Sequence, residues 1–216
     1  NPNLAALLYL ISGELFISAL RVLSSPETSR KGNFFGVLGI VLAIVVTFLS
    51  VNFLFSGFIF IIFALTIGGS IGAIIANKIS MTAMPQLVAG FHSLVGLAAV
   101  LVALAAFYNP ETFGLGVFNN IAIASLVEMS IGASIGAITF TGSVIAFLKL
   151  QGLMSGAPIT FKGQHFINLL IGIGIVSLIT YITINQSDHI FWILIISSLL
   201  VGVLLIIPIG GADMPV

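Results

Sequence analysis

Seven apolar runs, each long enough to cross a bilayer, constrain this chain more than any other feature. In order, the runs cover residues 4–23, 34–51, 53–76, 85–107, 120–148, 165–184 and 189–207. A helix needs about 20 apolar residues to span the hydrocarbon core. The runs are continuously apolar rather than alternating, which favours helices over the strands of a membrane barrel. The sequence therefore predicts an all-α polytopic membrane protein, a bundle of about seven transmembrane helices.

The composition excludes several other classes of protein. Of the 216 residues, 59% are hydrophobic and 6% are charged, against roughly 25% charged in a typical soluble domain. The absence of cysteine excludes disulfides, thiolate metal sites and cysteine nucleophiles. Net charge is zero and no basic run occurs, which argues against nucleic acid as a partner. We expect the lipid bilayer to be a partner, and we expect no metal or cofactor site within residues 1–216.

The basic residues predict the orientation. Threading the runs through a bilayer in turn places all six on the same face: Arg21, Arg30, Lys31, Lys78, Lys149 and Lys162. By the positive-inside rule this face is cytoplasmic, so the N-terminus is predicted outside and the C-terminus in the cytoplasm. The loops are too short for a soluble domain, so residues 1–216 form one transmembrane domain. Asp213 and Pro215 resemble the approach to another helix, and we expect the natural chain to continue on the cytoplasmic side.

His92 is one of three ionisable residues predicted within the spans, and such residues suggest functional sites. It lies about 10 Å below the cytoplasmic surface, counted from Pro85 at 1.5 Å per residue. Its predicted stripe is small, which marks contact between helices: Ala89, His92, Gly96, Ala99 and Ala103. Histidine suits proton handling because it changes charge near neutral pH. The alternative is a histidine that only hydrogen-bonds across a helix pair.

The fifth run carries a second small and polar stripe. Its members follow a helical spacing: Ala124, Glu128, Gly132, Gly136, Thr139, Ser143 and Ala146. Ser143 is predicted about 9 Å deep, nearly level with His92, and Glu128 lies about 22 Å further along the stripe, near the outer surface. These are parts that a proton path needs, although a packing face with one peripheral glutamate explains them too. Glu14, near the middle of the first span, has no evident partner and no assigned role.

Several segments of the sequence resemble the beta subunit of proton-translocating NAD(P) transhydrogenase. They are M-T-A-M-P-Q-L-V-A-G-F-H-S-L-V-G-L-A-A-V-L-V (81–102), I-G-A-I-T-F-T-G-S-V-I-A-F-L-K-L (135–150), I-G-G-A-D-M-P-V (209–216) and E-T-S-R-K-G-N (27–33). The resemblance covers only the membrane part of that subunit. In the family, this part continues into further helices and then a cytoplasmic NADP(H)-binding domain of Rossmann type. The chain departs from the family pattern at Ala83 and Gln86, where some members have acids.

The resemblance implies roles for four residues. His92 matches the membrane histidine central to proton translocation, and Ser143 and Glu128 match positions on the proton path. Asp213 matches an acid that couples the cytoplasmic end of the membrane part to the NADP(H) domain. The resemblance also implies an alpha subunit as partner, a dimer of protomers and a location in the bacterial cytoplasmic (inner) membrane.

The function expected from the resemblance is to couple inward proton flow to hydride transfer from NADH to NADP⁺. NADP(H) and NAD(H) would bind elsewhere in the full enzyme, so we expect no hydride transfer from this fragment alone. A proton-coupled secondary transporter or channel is the alternative. Such proteins often place the substrate between broken helices, and the runs show no paired Gly/Pro interruptions at mid-depth. A purely structural membrane scaffold would leave the stripes of His92 and Glu128 unexplained.

Overall fold

The computed structural model describes residues 2–23, 25, 27–50 and 55–214. Within them lie seven long helices: α1 (Pro2–Leu23), α2 (Ser29–Ser50), α3 (Phe55–Lys78), α4 (Met84–Tyr108), α5 (Ile123–Leu150), α6 (Gln164–Asn185) and α7 (Asp188–Ile206). Each is long and apolar enough to cross a membrane. The prediction of seven helical spans is therefore confirmed, and each predicted run corresponds to one helix.

The ends of the helices differ from the ends of the apolar runs. The second helix begins at Ser29, so Arg30 and Lys31 are helical although they were predicted in a loop. Hydropathy marks where hydrocarbon surrounds a helix, whereas backbone hydrogen bonding extends the helix into the polar interface. Pro85 stands in the first turn of α4, a position that proline favours because the missing N–H has no helical partner there. The predicted outer turn at residues 50–52 lies largely outside the described residues.

A short hairpin precedes α5, and its second strand occupies residues 120–121, which the sequence analysis assigned to the fifth apolar run. Strands β1 (Gly116–Val117) and β2 (Asn120–Ile121) pair antiparallel. Asn119 has φ 63°, a left-handed conformation that asparagine tolerates in tight turns. The side chain of Gln186 then pairs with the backbone of Ile121: the Ile121 N–H donates to Oε1 at 2.9 Å, and Nε2 donates to the Ile121 carbonyl at 3.2 Å. These bonds satisfy the buried N–H and C=O groups of Ile121, which lie outside any helix.

The chain divides into two compact units, residues 1–76 and 77–216, each described by itself. In the first unit, α1 packs against α2. The Ser12 hydroxyl, buried between them, donates to the carbonyl of Gly39 at 2.7 Å. On α2 and α3, the rings of Phe48 and Phe58 meet edge to face with centroids 6.1 Å apart.

The second unit is organised around α5, which packs against α4, α6 and α7. Its backbone approaches α4 most closely at two glycines, Gly96 and Gly136. A Cβ added at Gly96 would lie 2.6 Å from the backbone N of Phe140 and 2.7 Å from the carbonyl oxygen of Gly136. Only a residue without a side chain fits so near another backbone, as in other membrane helix pairs. One glycine from each predicted stripe, Gly96 on α4 and Gly136 on α5, therefore lies in a helix contact.

The contact between α5 and α7 depends on a third glycine. A Cβ at Gly202 would collide with the side chain of Thr141 and come within 2.5 Å of the Ile138 carbonyl oxygen. The Thr141 hydroxyl donates to the carbonyl of Leu199 at 2.8 Å. Because α5 contacts α4 on one side and α7 on another, residues from all three helices lie close together at similar depths along α5.

The two ends of the second unit differ in chemistry. At one end, called here the basic end, α4 begins, α5 ends, α6 begins and α7 ends; it carries Lys149 and the loop of residues 151–163, which includes Lys162. At the opposite end, called here the aromatic end, rings cluster. Phe107 stacks on Phe191 with centroids 4.5 Å apart, and Trp192 Nε1 donates to the Tyr108 hydroxyl at 3.0 Å.

Candidate functional site

A cavity of about 230 Å³ lies among α4, α5, α7 and the segment that follows α7. Its lining residues are His92, Ile138, Thr139, Gly142, Ser143, Ala146, Leu205, Ile206 and Met214. His92 is exposed, and Thr139 and Ser143 are half-buried, so the cavity opens on one side of the second unit. It is large enough for several water molecules, and its imidazole and hydroxyl groups can hydrogen-bond to them.

His92 and Ser143 reach this cavity from two helices at the same depth. His92 lies eight positions after Met84, where α4 begins, and Ser143 lies seven positions before Leu150, where α5 ends. At 1.5 Å per residue, both are on the order of 10 Å from the basic end. The sequence predicted that these helices pack together with the two side chains at similar depth. That prediction is confirmed, and the Gly96–Gly136 contact explains why the helices come close enough.

The packing stripe predicted on α4 is partly wrong. Ala89, Gly96 and Ala103 are buried as predicted, whereas His92 and Ala99 are exposed. Ser93 takes the buried place that was predicted for His92, and its hydroxyl donates to the Gly90 carbonyl at 2.7 Å. The buried face of α4 therefore runs from Ala89 through Ser93 to Gly96 and leaves His92 beside it. His92 therefore stands at the margin of the helix contact, on the cavity.

The stripe predicted on α5 lies mostly on an open flank. Gly136 and Ala146 are buried, Gly132, Thr139 and Ser143 are half-buried, and Ala124 and Glu128 are exposed. The most deeply buried face of α5 instead carries Leu126, Ser130, Ala133, Ser134 and Ala137. Both faces are rich in small residues, so the sequence pattern did not distinguish which of them packs inside this unit.

The other predicted residues are not in the cavity. Glu128 precedes Ser143 by fifteen positions on α5, a separation of about 22 Å along the helix. Asp213 is exposed in a short 3-10 turn (Gly211–Asp213) at the basic end. Glu14 is exposed on α1 in the first unit, so it is described apart from this cavity. The geometry thus joins His92 and Ser143 and leaves Glu128, Asp213 and Glu14 elsewhere.

Sequence reasoning missed two residues near the cavity, Lys149 and Met214. Lys149 contributed only to the orientation, yet it is buried, with 4% of its surface exposed. Met214 is 9% exposed and forms part of the cavity wall. A lysine in the last turn of an apolar helix usually extends to the interface, so its sequence position gave no sign of burial. Met214 reaches the cavity only because the chain folds back after α7.

These features define a class: a polytopic membrane protein whose helices place a histidine, a serine and a threonine at a cavity that is otherwise lined by apolar residues. The family model of the NAD(P) transhydrogenase beta subunit matches residues 5–216. The chain belongs to this family, which confirms the resemblance seen in its motifs.

Two relatives support the same assignment. The NAD(P) transhydrogenase subunit beta of Rhodospirillum rubrum is 52% identical over 208 residues, which cover 96% of this chain and 44% of that protein. The protein of the same name from one strain of this organism matches equally well. The chain thus spans less than half the length of these relatives. The family consists of subunits of an enzyme, and this chain corresponds to a multi-pass membrane portion.

Proposed function

We propose that this chain is the proton-translocating membrane domain of an NAD(P) transhydrogenase. In the full enzyme it couples inward proton flow to hydride transfer from NADH to NADP⁺. The fragment itself transfers no hydride, because NAD(H) and NADP(H) bind to other parts of the enzyme. The observation that carries this proposal is the cavity that His92 and Ser143 share, in a chain that matches the transhydrogenase beta subunit over nearly its whole length.

His92 is the group that takes up and releases the proton in this proposal. Histidine changes charge near neutral pH, and the cavity gives its ring room for water. Ser143 and Thr139 line the same cavity, and their hydroxyls can each donate and accept a hydrogen bond. A charge at this depth is costly unless water or a partner reaches it. We therefore expect protonated His92 to be transient and linked to a conformational change.

In this proposal, Glu128 also lies on the proton path, at a point nearer the aromatic end. It is exposed on the same open flank of α5 as Gly132, Thr139 and Ser143. A titratable side chain about 22 Å from Ser143 would receive protons at one mouth while His92 handles them nearer the other. The flank would be completed by other helices of the enzyme, since a carboxylate facing lipid is strongly disfavoured.

The assembly and orientation follow from the same proposal. The basic end faces the cytoplasm, and the NADP(H)-binding domain docks there beside Asp213. The alpha subunit and a second protomer complete the enzyme in the bacterial cytoplasmic (inner) membrane. The position of Asp213 supports the docking, because it is exposed at the basic end, next to the cavity residue Met214.

The decisive experiment replaces His92 in the complete enzyme reconstituted in vesicles. His92→Ala should abolish proton pumping linked to hydride transfer, because no other residue that lines the cavity has an acidic or basic side chain. Exchange reactions that need only the nucleotide-binding domains should survive. His189→Ala is the matched control, since His189 is exposed at the start of α7 with 89% of its side chain accessible. Normal pumping by a stably inserted His92→Ala enzyme would contradict the assignment and favour Glu128 or Glu14.

A further inference from the structure

The segment that follows α7, called here the return segment (residues 207–214), is bonded to the buried end of α5. The Lys149 Nζ donates to the carbonyls of Ile207 at 2.6 Å and Ile209 at 2.7 Å. Lys149 is 4% exposed, and a buried amino group is costly unless its donors are satisfied. Ile207 is the C-cap residue of α7, where carbonyls lack helical partners and carry partial negative charge. Lys149 thus bonds one carbonyl at the end of α7 and a second one, that of Ile209, two residues further along the return segment.

The loop of residues 151–163 binds the return segment at two further points. The N–H of Ile159 donates to the Ile207 carbonyl at 3.1 Å, and the N–H of Gly211 donates to the Gly156 carbonyl at 2.8 Å. These backbone bonds do not involve a titratable or replaceable side chain. The two hydrogen bonds from Lys149, in contrast, come from a side chain and can be removed by substitution.

The return segment ends at the wall of the His92 cavity. Met214 packs in one cluster with Ala89 of α4 and Ala146 of α5. These two residues lie about one helical turn nearer the basic end than His92 and Ser143, so Met214 lies between the basic end and the cavity. It is also a lining residue of that cavity. Asp213, its neighbour in the chain, is exposed to the surface at the basic end.

We propose that Lys149 is a positioning residue: it holds the return segment against α5 and thereby keeps Met214 in place as the wall that closes the His92 cavity toward the basic end. The inference rests on the proposed proton path, for which it supplies the inner closure. Since Asp213 and Met214 are adjacent, a domain that moves Asp213 also moves this wall. Binding events at the basic end thus change the access of water to His92 through one short segment that is hydrogen-bonded to α5.

The test measures access to the cavity rather than proton pumping. Ser143→Cys places a nearly isosteric thiol in the cavity, and the 216 residues contain no other cysteine. The complete enzyme, with any remaining native cysteines replaced, is held in vesicles with the basic end outward. The measurement is the rate at which a charged methanethiosulfonate reagent modifies the introduced thiol. Lys149→Met should raise this rate at least about tenfold, because each hydrogen bond to a charged group shifts an opening equilibrium by roughly that factor.

Two controls separate a local opening from other effects. Lys162→Met removes the same charge at the same end, but Lys162 is exposed in the loop, so the rate should stay at the parent value. A thiol at Ser130, which is fully buried on α5, reports general loosening and should remain unreactive in the Lys149→Met background. An unchanged rate at position 143, or an equal increase at position 130, would overturn the proposal.

A second pair of variants keeps the test decisive if Lys149→Met fails to insert. Met214→Ala removes the wall directly and should raise the rate of modification at position 143, while Met214→Leu fills a similar volume and should not. Equal rates in these two variants would contradict a closing role for Met214. Because thiol modification does not require proton transfer, the inference can fail while His92→Ala still abolishes pumping. Equally, the thiol measurement can show that Met214 closes the cavity even if His92 is not needed for pumping.

Discussion

His92 and Lys149 are ionisable side chains on neighbouring helices, and their surroundings differ sharply. His92 is exposed beside a cavity, whereas Lys149 is buried and donates to two backbone carbonyls. Hydropathy treats both as interruptions of an apolar run. The difference arises from what surrounds each side chain: a cavity accommodates water and a changing charge, while fixed carbonyl acceptors hold a donor in one place.

Asp213 allows a test at the scale of a single residue. It is exposed at the basic end and adjoins a residue of the cavity wall. Asp213→Asn in the full enzyme should alter NADP(H) release and thereby change the NADP(H) affinity by about tenfold, a typical size for coupling between sites, or it should weaken the coupling of proton flow to hydride transfer. NAD binding should change much less. Both affinities are measured by calorimetry and coupling by vesicle acidification.

Asp188→Asn is the matched control for that measurement, because Asp188 lies at the start of α7, at the aromatic end. It should leave NADP(H) release and coupling unchanged. If Asp213→Asn also left both quantities unchanged, Asp213 would have no part in coupling.

At the scale of helices, small residues decide which surfaces meet. Gly96 and Gly136 bring α4 and α5 into backbone contact, and Gly202 does the same for α7. The buried hydroxyls of Ser130, Ser134 and Ser198 have no hydrogen-bond partner among the described residues. Their place in the helix contacts fits the use of serine as a small residue where helices approach closely.

Gly96→Ala should destabilise the contact between α4 and α5. The added Cβ would lie 2.6 Å from the backbone N of Phe140, and a backbone cannot move aside as a flexible side chain can. Overpacking of this kind costs about 1–3 kcal/mol, so we expect the melting temperature of the detergent-solubilised subunit to fall by several degrees.

Gly132→Ala provides the comparison for Gly96→Ala, since a Cβ there meets nothing within 4 Å in the described residues. It should be neutral or slightly stabilising, because alanine is favoured over glycine in a helix by about 1 kcal/mol. Equal melting temperatures for the two variants would show that the glycine contact does not determine the packing.

At the scale of the whole molecule, the distribution of charge predicts how the protein lies in the membrane. The second unit has a basic end with Lys149 and Lys162 and an aromatic end with Trp192 and Tyr108. Lys and Arg favour the cytoplasmic side, while aromatic rings favour either interface. The basic end is therefore predicted to face the cytoplasm, whereas the aromatic rings do not distinguish the two sides.

Single cysteines at the two ends test this orientation. Leu153→Cys lies in the exposed loop at the basic end, where Leu153 is 75% exposed, and Phe118→Cys lies in the hairpin before α5. A membrane-impermeant maleimide should label position 153 only in inside-out vesicles and position 118 only in right-side-out vesicles. The reverse pattern would contradict the predicted orientation.

The amino-acid sequence alone predicted the seven helices, their approximate limits, the family and the similar depth of His92 and Ser143. These features follow from local properties, since about 20 apolar residues span a bilayer and helical rise converts position into depth. The buried face of each helix became clear only from the packing of the helices, because α4 and α5 carry small residues on more than one face. The packing also shows that Ser93 rather than His92 lies on the buried face of α4, that Lys149 is buried, and that Met214 reaches the cavity. Burial on a chosen face depends on the neighbouring helix and on how the chain returns after α7, and neither is encoded in the local apolar pattern.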